Sequence, residues 1–157
     1  MLHVPQFRLL VVRPALTHLG LWSAAAENLL LGTAVHESGL RFLRQLGDGP
    51  ARGLFQIEPA THDDLWETVL RRRRALRTKV AALAAPVPSR LEQLATNAAY
   101  ATAMARLVYL RAPEPLPAAH DVEALARYWK RHYNTARGGG STAAFLLAYK
   151  EHVSSGG

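Results

Sequence analysis

Apolar residues recur at helical spacing along most of the chain, and turn-forming residues divide this pattern into segments. Pro14 suits the first turn of a short helix that ends at Leu19. Ser23 is a candidate N-cap for a longer helix that reaches Glu37, and Gly39 follows it as a C-terminal stop. The pattern therefore predicts two helices in the first quarter of the chain.

The segment from Arg41 to Pro59 lacks this periodicity. Four turn-forming residues interrupt it: Gly47, Gly49, Pro50 and Gly53. Such spacing predicts a series of turns or a small hairpin, inserted after the second helix. Helical periodicity resumes at Thr61 and continues through an arginine-rich run, until Pro86 and Pro88 end it.

Ser89 and Glu92 have the spacing of a capping box, which predicts a long helix ending near Leu110. Three closely spaced prolines then form a stiff connector that is too short to link two domains: Pro113, Pro115 and Pro117. Because no other linker and no internal repeat is present, we expect one domain.

Asp121 is a candidate N-cap for the next helix, and Gly138–Gly140 separates that helix from a last one beginning near Ser141. The pattern as a whole predicts an all-α domain, α+β at most, with one irregular or hairpin insertion. We expect this single domain to span residues 1–153, with a disordered tail at 154–157.

The composition is that of a folded domain. The chain has 157 residues, of which 49% are hydrophobic, enough to build a core. It has no cysteine (Cys 0), which excludes disulfides, thiolate catalysis and cysteine-ligated zinc. The longest apolar stretch, Leu19–Val35, contains Glu27 and Asn28, so we expect no transmembrane segment. The N-terminus also lacks the pattern of a secretory signal.

The formal net charge is +7, and the isoelectric point is about 10.4. Such a charge attracts polyanions in general, including nucleic acids, anionic lipids and bacterial walls. The densest cationic run comprises Arg71, Arg72, Arg73, Arg74, Arg77 and Lys79. We interpret this run as a solvated helix face and expect no dedicated nucleic-acid site, because no binding motif or interleaved aromatic residues accompany it.

Glu37 is the first candidate for chemistry, because it lies at the predicted end of an apolar helix. The helix end presents unpaired carbonyl groups, apolar neighbours withhold water, and further carboxylates follow closely in the chain. All three effects favour the protonated carboxyl group. A glutamic acid that is protonated near neutral pH can protonate a leaving oxygen, as glycosidic bond cleavage requires. The alternative is an ordinary surface glutamate.

Asp48 and Glu58 are further carboxylates in an insertion that can fold back over the end of the Glu37 helix. Glycosidases pair two carboxyl groups, one as an acid and one to activate water or stabilise positive charge. Gln56 adds an amide able to hydrogen-bond sugar hydroxyls and acetamides. Asp48 equally suits a structural role in its Gly-Asp-Gly turn, and Glu58 equally suits the start of the next helix.

The remaining candidates are weaker. We expect no metal site, because four histidines that could bind a metal lack the spacing of metal ligands: His36, His62, His120 and His132. Trp22 and Trp66 follow helical apolar spacing, which predicts core positions. Trp129, close to Tyr133, suits the core and a binding groove equally.

Three segments together resemble a known family signature. Glu37-Ser38, followed by Ala51–Thr61 (ARGLFQIEPAT), is similar to the signature of lytic transglycosylases and goose-type lysozymes. In those families a Glu-Ser helix end precedes a Gly-Leu-Met-Gln hairpin and a Pro-x-Thr helix start. Tyr133-Asn134-Thr135-Ala136 resembles their Tyr-Asn-Ala-Gly segment, and Asn97–Tyr100 more loosely resembles an intervening helix.

The resemblance implies a lysozyme-like fold that cleaves the β-1,4 bond between N-acetylmuramic acid and N-acetylglucosamine in peptidoglycan, with Glu37 as general acid and no cofactor. It implies a sugar groove lined by Ser38, Gln56, Tyr100, Tyr133 and Asn134. Pro14–Val35 and Thr61–Trp66 also resemble lysis domains of bacteriophage virion proteins. We therefore expect the partners to be peptidoglycan glycan strands and other virion proteins. We expect a location in the virion or the host cytoplasm before the protein acts on the wall.

Two mechanisms fit the resemblance. Goose-type lysozymes carry acids near the positions of Asp48 and Glu58, which favours hydrolysis, a muramidase activity with Asp48 positioning water. Lytic transglycosylases use essentially one carboxyl group and form 1,6-anhydromuramic products. A non-catalytic wall-binding or virion structural module, or a basic nucleic-acid-binding helical protein, stays as a further alternative.

Overall fold

The computed structural model describes residues 1–135 and 138–156, and within these ranges the chain is all-α without a sheet. The α-helices are α1 Val4–Phe7, α2 Arg13–Leu19, α3 Ala24–Ser38, α4 Pro59–Glu67, α5 Val69–Arg72, α6 Arg74–Leu83, α7 Arg90–Thr96, α8 Ala98–Leu110, α9 Val122–Trp129 and α10 Thr142–His152. The all-α class predicted from the sequence is confirmed. None of the described helices is both long and apolar enough to cross a membrane.

The first helical stretch begins well before Pro14, where the sequence had placed its start. α1, a π-helical turn at Arg8–Val12 and α2 follow one another without a break. In the wider turn the N–H of Arg13 bonds to the carbonyl oxygen of Arg8. The helical stretch therefore continues past Pro14, which lies in the first turn of α2.

α3 forms the centre of the core and packs against α8 and α10. Its predicted ends are confirmed. Ser23 Oγ accepts a hydrogen bond of 3.0 Å from the N–H of Ala26, and Gly39 follows with a left-handed φ of 60°. Gly32 allows α10 to approach closely, since a Cβ there would lie 2.5 Å from Cζ of Phe145.

A buried charged cluster fixes the first turn of α3 to the N-terminal helices. Glu27 is 1% exposed, and its carboxylate accepts hydrogen bonds from Arg8, Arg13 and the indole of Trp22. Trp22 itself is 47% exposed, so its predicted core position is wrong; its ring closes the cluster at the surface. Trp66, also predicted in the core, is partly buried and packs against the hydrophobic core.

Residues 39–58 form the predicted irregular insertion. Only isolated antiparallel bridges occur within it, pairing Arg44 with Arg52 and Arg52 with Ile57. Gly53 is required where the insertion crosses the chain near α7: its φ is 79°, and a Cβ would lie 1.8 Å from the carbonyl oxygen of Leu94. Leu54 and Phe55 anchor the insertion in the core.

The two long helices predicted in the middle of the chain are wrong in extent. Thr68 and Arg73 separate α4, α5 and α6. Asn97 interrupts the helix that begins after Ser89; it is extended (φ −133°, ψ 94°), and its side chain caps α8 by accepting from the N–H of Tyr100. A local N-cap therefore outweighs the continuous apolar pattern.

The last two α-helices begin where the sequence predicted. Asp121 Oδ1 accepts from the N–H of Ala124 at the start of α9, and Ser141 Oγ accepts from the N–H of Ala144 at the start of α10. A π-helical turn at Lys130–Asn134 extends α9. A 3₁₀ turn at Ser154–Gly156 follows α10, and Gly157, the last residue of the predicted tail, lies outside the described residues.

Candidate active site

A cleft of about 1020 Å³ opens where the end of α3 meets the insertion, the start of α4 and the π-helical turn after α9. Six of the residues singled out from the sequence line it: Glu37, Ser38, Gln56, Glu58, Tyr133 and Asn134. They come from chain segments far apart in sequence, which the fold brings to one place. The cleft is therefore the candidate site.

Glu37 lies in the last turn of α3 and is largely buried at the wall of this cleft. Burial raises the pKa of its carboxyl group from 4.5 to about 7, although a hydrogen bond from Trp129 acts in the opposite direction. Glu37 consequently keeps its proton to much higher pH than an exposed glutamate does. This is the protonation state that a general acid needs.

Trp129 is the partner of Glu37 that sequence reasoning missed. Its indole Nε1–H donates a hydrogen bond of 3.0 Å to Oε1 of Glu37. The ring itself is fully buried, in an edge contact with His36 (4.4 Å) and stacked on Phe145 (5.1 Å). The sequence signal that was present is the spacing of four residues between Trp129 and Tyr133, of which Tyr133 lines the cleft and Trp129 does not.

The π-helical turn after α9 is tied to the insertion across the cleft. The hydroxyl of Tyr133 donates a hydrogen bond of 2.6 Å to the carbonyl oxygen of Phe55. Burial raises the pKa of Tyr133 well above its usual value, and the charge of Glu37 adds to this effect, so the phenol keeps its proton. Tyr133 thereby holds the two walls together.

Lys130 organises the loop that carries Asn134. Its ammonium group donates to Oδ1 of Asn134 at 2.7 Å and to the carbonyl oxygens of Gly138 and Gly140. The Asn134 side chain is therefore held in place with its amide N–H groups oriented by this contact. Ala136, the last residue of the Tyr-Asn motif, lies outside the described residues.

The insertion supplies an amide and a carboxylate. Gln56 has a left-handed backbone (φ 49°), and its Nε2 donates to the carbonyl oxygen of Gly53 at 2.9 Å. Gln56 lines the cleft, and this contact uses its amide nitrogen. Glu58 is exposed at the position before Pro59, where α4 begins.

The structure brings Glu37 and Glu58 to one cleft but does not bring Asp48 there. Asp48 is exposed in a turn with a φ of 61° and is not among the residues that line the cleft. Its placement matches the alternative that the sequence left open, a structural residue in a Gly-Asp-Gly turn. Aspartate tolerates the left-handed conformation better than most residues do.

Ser38 and Tyr100 are both occupied by internal contacts. The Ser38 hydroxyl lies 2.7 Å from the carbonyl oxygen of Leu54 and is 3% exposed, so it fastens α3 to the insertion. Tyr100 is fully buried; its hydroxyl accepts from the indole of Trp66 and contacts Nε2 of His62. Tyr100 does not line the cleft, so the direct sugar contact expected of it does not fit this position.

Two other features bear on alternative functions. Across residues 1–135 and 138–156, no group of three or more His, Asp or Glu side chains could hold a metal ion. The cationic run from Arg71 to Lys79 is almost entirely exposed on α5 and α6, away from the residues that line the cleft.

The arrangement as a whole can deliver a proton from a carboxyl group of raised pKa into a cleft lined with hydrogen-bonding groups. Glu58 adds a second, more exposed carboxylate to the lining of the cleft. Comparisons with models of known protein families, with curated proteins and with solved structures found no match to this chain. The chemistry of the cleft and the motifs of the sequence are therefore the basis for assigning a function.

Proposed function

We propose that this protein cleaves the β-1,4 bond between N-acetylmuramic acid and N-acetylglucosamine in the glycan strands of peptidoglycan, with Glu37 as the general acid. The observation that carries the proposal is the pKa of about 7 that burial gives to a carboxyl group opening into a large cleft. The similarity of Glu37-Ser38 and Ala51–Thr61 to the lytic transglycosylase and goose-type lysozyme signature supports the choice of substrate.

The first step is proton transfer. Protonated Glu37 gives its proton to the glycosidic oxygen as the bond from that oxygen to C1 of the muramic acid breaks. The leaving sugar departs with a new hydroxyl group, and C1 carries the positive charge. Glu37 is left as a carboxylate, which the indole N–H of Trp129 stabilises by its hydrogen bond.

In hydrolysis, water completes the reaction. The oxygen of a water molecule bonds to C1, and a carboxylate removes one of its protons. Glu58 is the carboxylate placed to act here, because it lines the cleft and is exposed, whereas Asp48 does not line it. The water-positioning role considered for Asp48 therefore passes to Glu58.

Lytic transglycosylation is a second candidate, favoured by the position of Asp48 outside the cleft lining. In this reaction the 6-hydroxyl of the same muramic acid attacks C1 and loses its proton, and Glu37 as the base accepts it. The product is a 1,6-anhydro ring. Mass spectrometry of the released muropeptides separates the two reactions, since the anhydro products are lighter by one water.

Clearing of a suspension of purified cell walls tests the proposal. Glu37→Gln keeps the shape of the side chain but has no proton to donate, so we expect clearing to fall about a hundredfold or more. Glu67→Gln is the matched control, because Glu67 is exposed at the end of α4 and does not line the cleft. Undiminished clearing by folded Glu37→Gln contradicts the proposal. Binding to walls without any product from the wild type indicates a non-catalytic module instead.

A further inference from the structure

The chain turns sharply just after Glu37 and returns to the cleft at Arg41. Gly39 and Leu40 both have left-handed backbones, with φ values of 60° and 51°. The N–H of Arg41 then bonds to the carbonyl oxygen of Ser38 at 3.1 Å, and the buried Leu40 side chain anchors the turn. The backbone of Arg41 is thereby fixed within one turn of the proposed acid.

Arg41 differs from the other arginines that line the cleft. Arg44 pairs with Glu92 at 2.6 Å, and Arg111 pairs with Asp64 at 3.2 Å; both acids lie outside the cleft lining. Arg41 is exposed, lines the cleft and forms no ion pair with any described residue. Among the three arginines that line the cleft, Arg41 is consequently the one whose charge no protein carboxylate neutralises within the described ranges.

We propose that Arg41 binds a carboxylate on the lactyl-peptide arm of the muramic acid, so that the cleft selects muramyl peptides over neutral glycans. This inference rests on the proposed function and names the part of the substrate that the cleft recognises. The sugar rings of the strand offer only hydroxyls and acetamides, whereas the arm carries the carboxylates. A guanidinium group has the opposite charge to a carboxylate and can donate two parallel hydrogen bonds to it.

The position of Glu58 favours the same assignment. Glu58 is an exposed carboxylate of the cleft lining and repels an anionic arm from its own side, where α4 begins. In the protonated form that acts as the acid, Glu37 is neutral and does not repel the arm. An arm that avoids Glu58 can pair with Arg41, whose backbone is fixed in the turn after α3.

Binding measurements test the inference without turnover. The protein carries Glu37→Gln so that it binds without cleaving, and titration calorimetry measures its dissociation constant for two ligands. One is the disaccharide-peptide with free carboxylates, and the other is the same molecule with all carboxylates amidated. The second protein adds Arg41→Gln, and the control adds Arg71→Gln, which removes an exposed arginine outside the cleft lining.

We expect Arg41→Gln to raise the dissociation constant for the acidic ligand about tenfold and to change that for the amidated ligand less than about twofold. Arg71→Gln is expected to change neither by more than about twofold. Equal affinity of the parent protein for both ligands, or an equal loss on both from Arg41→Gln, overturns the inference. Because no cleavage is measured, these results are separable from failure of the proposed function.

The disaccharide without its peptide tests how near the sugar Arg41 binds, because its lactyl group then ends in a free acid, whereas in the peptide-bearing ligand that carboxyl is an amide. A similar loss on this ligand shows that Arg41 reaches the lactyl end of the arm. A loss confined to the peptide-bearing ligand assigns it to the peptide. Both results support recognition of the arm by Arg41.

Discussion

The indole N–H of Trp129 donates a hydrogen bond of 3.0 Å to Oε1 of Glu37, joining residues 92 positions apart in the sequence. The contact orients the carboxyl group at the end of α3 from a fully buried ring at the end of α9. It also favours the ionised carboxylate, against the stronger effect of burial. The position and acidity of Glu37 therefore depend on how two distant helices pack.

Replacement of this donor should change the pH profile of the reaction. In Trp129→Phe the carboxylate loses a stabilising hydrogen bond, so the pKa of Glu37 rises further above its usual value. We expect the high-pH decline of kcat/KM to move to higher pH, and its maximum to fall about tenfold because the acid is less well oriented.

Trp22→Phe is the control for that experiment, since it removes an indole donor from a different carboxylate, that of Glu27. The high-pH decline of kcat/KM in Trp22→Phe should stay near that of the wild type. A decline that stays near pH 7 in folded Trp129→Phe, or moves to lower pH, contradicts the role assigned to the hydrogen bond.

The raised pKa of Glu37 also has a cost in stability. The folded protein holds the proton up to about pH 7, whereas the unfolded chain releases it near 4.5, so stability falls as the pH rises through this interval. The difference corresponds to on the order of 3 kcal/mol. Glu37→Gln should therefore raise the free energy of unfolding at about pH 8 by up to that amount and change it little at about pH 4.

Urea unfolding at the two pH values measures this difference, with Glu67→Gln as the control for loss of an exposed carboxylate. If Glu37→Gln is no more stable than the wild type at about pH 8, burial does not destabilise the ionised form of Glu37. That result would contradict the raised pKa.

Glu27 should behave in the opposite way. Burial opposes its ionisation, but hydrogen bonds from Arg13, Trp22 and Arg8 outweigh burial and lower its pKa to about 2. The stability from this cluster is present at neutral pH and is lost as the pH falls from 4.5 toward 2. We expect Glu27→Gln to destabilise the protein by about 2–4 kcal/mol at pH 7, because it leaves the two arginines without their partner.

Urea unfolding of Glu27→Gln near neutral pH and near pH 2 checks this prediction; the deficit should shrink at the lower pH. Glu92→Gln breaks the exposed pair with Arg44 and should cost less than about 1 kcal/mol. A deficit that is as large near pH 2 as near pH 7 would show that the charge of Glu27 is not its source.

The two further carboxylates should differ in their effect on activity. Asp48→Asn is expected to keep most of the activity, because Asp48 lies outside the cleft lining. Glu58→Gln should lower the rate of hydrolysis about a hundredfold or more if Glu58 activates water. Rates of muropeptide release from purified walls measure both. A large loss from Asp48→Asn together with none from Glu58→Gln contradicts this assignment.

The helix ends that the sequence predicted correctly are set by local contacts. Ser23, Asp121 and Ser141 each bond to an N–H three residues later, so a short stretch of sequence contains the whole interaction. The break at Asn97 uses the same contact but was hidden by a continuous apolar pattern. Local capping is thus readable from sequence, and it can outweigh periodicity.

The parts of the site that could not be predicted depend on tertiary packing. No spacing rule relates Trp129 to Glu37, or the hydroxyl of Tyr133 to the carbonyl oxygen of Phe55. The direction in which the insertion folds decides that Glu58 faces the cleft and Asp48 does not. The sequence therefore predicted which residues line the cleft better than it predicted how they meet.

The most direct test of the central claim is the chemical identity of the new ends that the protein releases from purified sacculi. Wild type and Glu67→Gln should release fragments whose new ends are muramic acid, in the reducing or the 1,6-anhydro form. Folded Glu37→Gln should release them at least about a hundredfold more slowly. New ends of N-acetylglucosamine, or muramic ends formed as fast by Glu37→Gln as by the wild type, would contradict the account.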